Sequence, residues 1–201
     1  MPPSLPVYHF THIAFLPWIL QAGELRAGGS GPKAFFYPQP DFIWATTDNR
    51  GAPSCRAHYG YSEGITPLVR ITLHGADFEP WPDVAWSAPA WLRWMELCET
   101  TARNCGDNPT CWRCRTAPLP LSRVISIETK ARHDPNWLPF VQPFRRSDST
   151  LCIVLDGVEF CSTRNTPHDG NYRLTTIDRA AGAAGRGGGR GGNLLVVGWP
   201  K

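Results

Sequence analysis

A chain of 201 residues with a formal net charge of +3 is long enough for one well-packed domain, since about 150 residues already bury roughly 70% of their unfolded surface. Its Lys and Arg are spread along the sequence, so composition neither demands nor excludes a polyanionic partner. No stretch approaches the roughly 18 consecutive apolar residues of a membrane helix, and an odd count of 7 cysteines excludes a framework in which every cysteine is paired within the chain.

A soluble, cytoplasmic protein with no membrane partner is therefore expected, with most thiols reduced. The first twenty residues are apolar, but no Lys or Arg precedes them, His9, Thr11 and His12 interrupt them, and no small-x-small cleavage pattern follows. They are expected to form part of the folded domain rather than a secretion signal.

Val7 to His12 alternates apolar and polar residues, which predicts a short strand with His9 and Thr11 on one face. Leu16, Ile19 and Leu20 then take helical spacing up to Gly23, a glycine of the C-cap kind. Arg26 to Pro32 is a loop by composition, Asp41 to Thr47 a strand, and Asp48 to Pro53 a break. Leu68 to Leu73 alternates cleanly, with Leu68, Arg70 and Thr72 opposite Val69, Ile71 and Leu73. Ala88 to Thr101 carries Trp91, Trp94, Met95 and Cys98 at helical spacing, with Ser87 placed to cap it and Pro89 in its first turn. Cys105 to Cys114 reads as a compact cysteine-rich loop. In Leu121 to Lys130 the alternation sets Val124, Ser126 and Glu128 on one face and Ile125 and Ile127 on the other. Leu151 to Cys161 reads as a hairpin turning at Asp156-Gly157, a register that pairs Leu155 with Val158, Ile153 with Phe160 and Cys152 with Cys161. The Gly/Arg-rich run from Arg179 cannot bury a core and is expected to be disordered.

The opening segment, Tyr8-His9-Phe10-Thr11-His12 followed by Leu16-Pro17 and Ile19-Leu20 up to Gly23 and Leu25, resembles the first strand and helix of the ADP-ribosyltransferase fold. The resemblance is to the branch that opens with His and Ser or Thr: poly-ADP-ribose polymerases, tRNA 2′-phosphotransferases and DNA-targeting toxins. It implies an α+β fold with a split mixed sheet and flanking helices, and an enzyme that consumes NAD to modify a macromolecular acceptor, protein or nucleic acid. By that resemblance His9 would bond a ribose hydroxyl with Thr11 beside it, and the neighbouring backbone would clamp the nicotinamide amide. Phe10 departs from the glycine common in the polymerase branch. Glu128 would accept from the nicotinamide-ribose 2′-hydroxyl and steady the cationic charge that grows as nicotinamide leaves. Tyr59 or Tyr61 would stack on nicotinamide, and Arg50 or Arg56 would hold the pyrophosphate.

Each residue also has a plainer reading. His9 would be a buried imidazole satisfied by backbone, Glu128 a strand-end acid paired with Lys130 or Arg123, the tyrosines core packing and the arginines solvated surface. Cys98, Cys105, Cys111 and Cys114 contain one tight Cys-x-x-Cys pair, so they are either a structural zinc set or ordinary core and loop thiols. The expected organisation is a transferase-like domain over residues 5–140, an accessory segment over 141–178 with its hairpin at 151–161, and the 179–201 tail. The alternative to an enzyme is a non-catalytic binding or structural module of the same fold, with or without zinc. A cleft shared by His9, Thr11 and Glu128 is expected of the enzyme, and a dispersed arrangement of the non-catalytic module.

Overall fold

The computed structural model describes residues 5–27, 41–62, 67–85, 87–140, 144–147, 150–155, 158–161 and 177–178. The Gly/Arg-rich tail and the Asp156-Gly157 turn lie outside them. In chain order the elements are β1 (Pro6–His12), α1 (Leu16–Ala22), β2 (Glu24–Leu25), β3 (Ile43–Thr46), α2 (Arg56–Ser62), β4 (Leu68–His74) and β5 (Glu79–Pro80). They continue with α3 (Trp81–Ala85), α4 (Pro89–Asn104), β6 (Trp112–Arg115), β7 (Leu119–Pro120), β8 (Val124–Lys130) and β9 (Leu138–Pro139). The last four strands are β10 (Phe144–Ser147), β11 (Thr150–Leu155), β12 (Val158–Cys161) and β13 (Ile177–Asp178).

Seven strands form the main sheet in the order β5-β6-β3-β1-β4-β8-β9, and β10 to β13 form a second, four-stranded sheet. The fold is thus α+β, but every described pairing is antiparallel, so the expectation of a mixed sheet is corrected. Apolar alternation explains the central ladder: Val7 on β1, Val69, Ile71 and Leu73 on β4 and Ile127 on β8 all turn to one face. That face packs on Leu16 of α1 and on Ile153 of β11, all of them buried in one cluster. Helix α1 ends where expected, with Gly23 at φ +72° donating its N–H to the Ile19 carbonyl.

The other face carries two aromatic clusters. Trp44 on β3 meets Phe42, Trp81 of α3, Trp91 of α4 and Trp112 of β6 edge-on at centroid distances of 5.2 to 6.0 Å. Trp81 Nε1–H donates to Glu99 at 2.8 Å, which ties α3 to α4 and satisfies the one polar atom of that buried ring. Phe10, Ala57 and Leu68 build the second cluster, where α2 packs against β1 and β4. Helices α2, α3 and α4 therefore cover one face, and α1 with the hairpin covers the other.

Several expectations need adjustment. The cysteine-rich loop ends in a strand, β6, which places Cys114 in the sheet opposite Trp44. Ser87 does not cap α4; its hydroxyl donates back to Val84 at the end of α3, and Ala88 takes the N-cap position. A register shift between Thr72 and Leu73 breaks the β8 alternation, so that Val124 pairs with Leu73 and joins the Ile127 core face while Ile125 is left 51% exposed. The hairpin register is the expected one, Cys152 opposite Cys161 and Ile153 opposite Phe160. Among the described residues no helix is long and apolar enough to cross a membrane.

Because Ile153 is fully buried in the same cluster as Val7 and Leu16, the hairpin belongs to the main core. Ile153→Ala is expected to destabilise the whole domain by about 2–5 kcal/mol, read as a lower urea midpoint of a single transition. An unchanged midpoint would show the hairpin to be an independent appendage.

Candidate functional site

Glu128 lies in the ladder where β4 and β8 pair, directly opposite Arg70, which in turn is opposite Phe10 on β1. Residues opposite each other across antiparallel strands share a face, so Phe10, Arg70 and Glu128 form one row. The Arg70 guanidinium donates from Nε at 3.0 Å and approaches from Nη2 at 2.9 Å, both to Oε2 of Glu128. Its Nη1 donates to the Asn49 carbonyl in the loop after β3, at 2.7 Å. The guanidinium carbon also lies 4.4 Å from the ring centroid of Trp137 and 5.5 Å from that of Tyr8, within the range of cation–π attraction. The two charged side chains are only 13% and 22% exposed, so water screens this pair less than a surface bridge. Trp137 reaches the site because β9 returns along β8, setting Pro139 opposite Glu128. Pro139 is tolerated there because β9 is the outermost strand and needs no further N–H donor.

His9 is brought elsewhere. It stands opposite Ile71, and Ile71 opposite Ile127, so its side chain and that of Thr11 point to the α1 and hairpin face. The expected common cleft of His9, Thr11 and Glu128 is overturned by this register: the sheet itself lies between them. The described β1–β3 pairing is Tyr8 with Thr46, and the nearby Trp44 carbonyl accepts a 2.7 Å bond from His9 Nδ1–H. Burial lowers the His9 pKa, and the Trp44 carbonyl partly offsets this by favouring the protonated ring. Thr11 is buried on the same face. This is the plainer reading of His9: a backbone-satisfied imidazole.

The remaining expected residues divide. Tyr61 of α2 packs against the Phe10 and Leu68 cluster, on the Glu128 face. Arg56 and Tyr59 have their backbone in the same helix, but their side chains lie outside the described ones. Arg50 sits in the loop whose Asn49 carbonyl Arg70 holds; its own side chain is 86% exposed and bridges Asp48 at 2.6 Å, which lowers the Asp48 pKa.

Beside α2 is a polar cluster the sequence did not disclose. Asp107, 8% exposed, accepts from the Ser54 hydroxyl and, at 3.3 Å, from the Ser54 N–H, and its other oxygen accepts from Asn108 N–H at 2.8 Å. These bonds fasten the start of α2 to the loop after α4. His58 is partly buried nearby, its Nδ1 without a hydrogen-bond partner among the described residues, and burial lowers its pKa against the opposing pull of Asp107. Cys55 is pushed up to about 11 by burial, so it is a thiol and not a nucleophile at neutral pH.

The four expected zinc ligands fall in different settings. Cys98 is half-buried within α4, Cys105 exposed at its C-cap, Cys111 half-buried before β6, and Cys114 buried in β6 with its thiol 3.8 Å from the Glu79 carbonyl. Burial pushes the Cys114 thiol up to about 12. Among the described residues no three His, Cys, Asp or Glu are grouped as a metal would require. A groove of about 420 Å³ opens near Cys114, lined by Phe42, Val84 and Ala88 among others, and contains none of the expected NAD-site residues.

No family model matches the chain, and no curated protein or solved structure matches it.

Two outcomes follow from this geometry. A histidine whose pKa is lowered on folding takes up its proton more readily when unfolded, so its contribution to stability is lost as pH falls below the ordinary value of about 6.5. His9 and His58 should therefore make the protein less stable on acidification through that range, and imidazole NMR should show His9 titrating below free histidine; titration at or above it would contradict the buried placement. Protein prepared without added metal is expected to contain far less than one zinc per chain and to keep its Tm in EDTA. A stoichiometry near one would return the four cysteines to a shared site.

Proposed function

We propose that the seven-stranded sheet is an ADP-ribosyltransferase-like fold and that the chain transfers ADP-ribose from NAD to a macromolecular acceptor, using the face that carries Glu128. The observation that carries this reading is the Arg70–Glu128 pair: a carboxylate held at one oxygen by a guanidinium that itself lies near the rings of Trp137 and Tyr8. A fixed carboxylate of this kind suits a reaction that develops positive charge, because it needs no reorganisation as the charge grows. Nicotinamide would lie against the apolar surface made by Phe10, Trp137 and Tyr61. Glu128 Oε1 would accept from the ribose 2′-hydroxyl, and the exposed Arg50 fork suits the pyrophosphate.

In the reaction the bond between the ribose C1′ and the nicotinamide nitrogen breaks. Its electron pair leaves with nicotinamide, which becomes neutral, and the ribose carbon takes on the positive charge that Glu128 stabilises. The acceptor's lone pair then bonds C1′, and the acceptor gives up a proton to water. Protein and nucleic-acid acceptors both satisfy this balance.

The placement of His9 and Thr11 favours a second reading, a non-catalytic binding module of the same fold, because the motif that opens the resemblance faces away from Glu128. Measurement of nicotinamide release separates the two. Wild type is expected to release nicotinamide, and Glu128→Gln to do so about a hundredfold more slowly with NAD binding little changed. Wild type that binds NAD without cleaving it supports the module; wild type that does not bind NAD refutes both NAD readings.

A further inference from the structure

Resting on the reading of Glu128 as the carboxylate that faces NAD, we infer that Arg70 is the positioning residue of that site and the link between it and the loop bearing Arg50. Three separate contacts converge on its guanidinium. Nε and Nη2 hold Oε2 of Glu128, Nη1 holds the Asn49 carbonyl, and the ring of Trp137 lies 4.4 Å from its carbon. The first leaves Oε1 of Glu128 without a hydrogen-bond partner among the described residues. The second fixes the backbone of the loop bearing Arg50 relative to the carboxylate. The third stiffens the guanidinium, because a planar cation lying against a ring loses rotational freedom before any ligand arrives.

Lysine keeps the charge of Arg70 but not the fork, since its ammonium is a point charge that cannot span Oε2 and the Asn49 carbonyl in one plane. If Arg70 acts through Glu128, its removal should cost nothing further once Glu128 is gone.

The test is a double-mutant cycle on the full chain, measuring nicotinamide release over a range of NAD concentrations, with Tm recorded for each variant. Arg70→Lys is expected to lower kcat about tenfold or more with KM within about threefold of wild type. Arg70→Lys combined with Glu128→Gln is expected to match Glu128→Gln alone within about twofold. A wild-type kcat in Arg70→Lys, or losses that multiply in the double variant, overturns the inference while leaving the proposed reaction standing. Should Arg70→Lys fail to fold, Tyr8→Leu decides, because it removes the other ring beside the guanidinium, leaves the ion pair and is no part of the surface proposed for nicotinamide. A KM-neutral fall in kcat supports positioning, and an unchanged kcat overturns it. Absence of nicotinamide release in wild type removes the reading of Glu128 and the inference with it, and is seen before any substitution is made.

Discussion

Strand β4 is paired along its length to β1 on one side and to β8 on the other, and the rest of the molecule is arranged by the two-residue period of those ladders. Opposite residues share a face, so one register settles many neighbours together. A one-residue slip of β4 would carry Val69, Ile71 and Leu73 from the core to the helices and Arg70 from the helices to the core, away from Glu128. The apolar set makes such a slip costly, since those three are completely buried against Leu16 and Ile153. Hydrophobic burial on one face thus holds the polar geometry of the other.

That other face is where the chain accepts an energetic cost. Drawing a guanidinium and a carboxylate partly out of water is unfavourable unless their hydrogen bonds are good, and removing either partner leaves a poorly solvated charge. The pair is compensated by direct contacts, by the Asn49 carbonyl and by the Trp137 and Tyr8 rings. Nothing in the packing of α2 requires a charge there; the cluster of Phe10, Ala57 and Leu68 is apolar. An ion pair retained beside an apolar surface is a candidate for function rather than stability.

Local pattern in the sequence was enough to recover the strands β1, β3, β4 and β8 and, apart from Val124, the parity within β1, β4 and β8. The alternation of Leu68 to Leu73, the Gly23 cap and the Asp156-Gly157 turn signal each depend on neighbouring residues alone, and the corresponding strand, helix end and hairpin register are found. Parity between strands was not legible, because it depends on which residue of β1 stands opposite which residue of β4, and no local pattern reports that. His9 and Glu128 were placed together for that reason and lie apart. The Val124 assignment failed for a related one: a single register shift near Thr72 reverses the alternation beyond it. Helix α2 was missed because Cys55 to Ser62 has no clear helical periodicity and the Ser54 before it is fastened by Asp107, 53 residues further along the chain. Alternation placed Arg70 on a face of its strand but named no partner for it; only the pairing with β8 and the return of β9 give it Glu128 and Trp137.

The proposed reaction requires the side of the sheet bearing Glu128 to face NAD. A chemical-shift map with an NAD analogue that cannot lose nicotinamide tests this without requiring turnover. The expected perturbations centre on Tyr8, Phe10, Arg70, Glu128 and the Trp137 indole N–H, and leave the His9 imidazole and the Thr11 and Ile153 methyl groups unmoved. Perturbation concentrated on His9, Thr11 and Ile153 would place the ligand on the opposite face and rule out the proposed site.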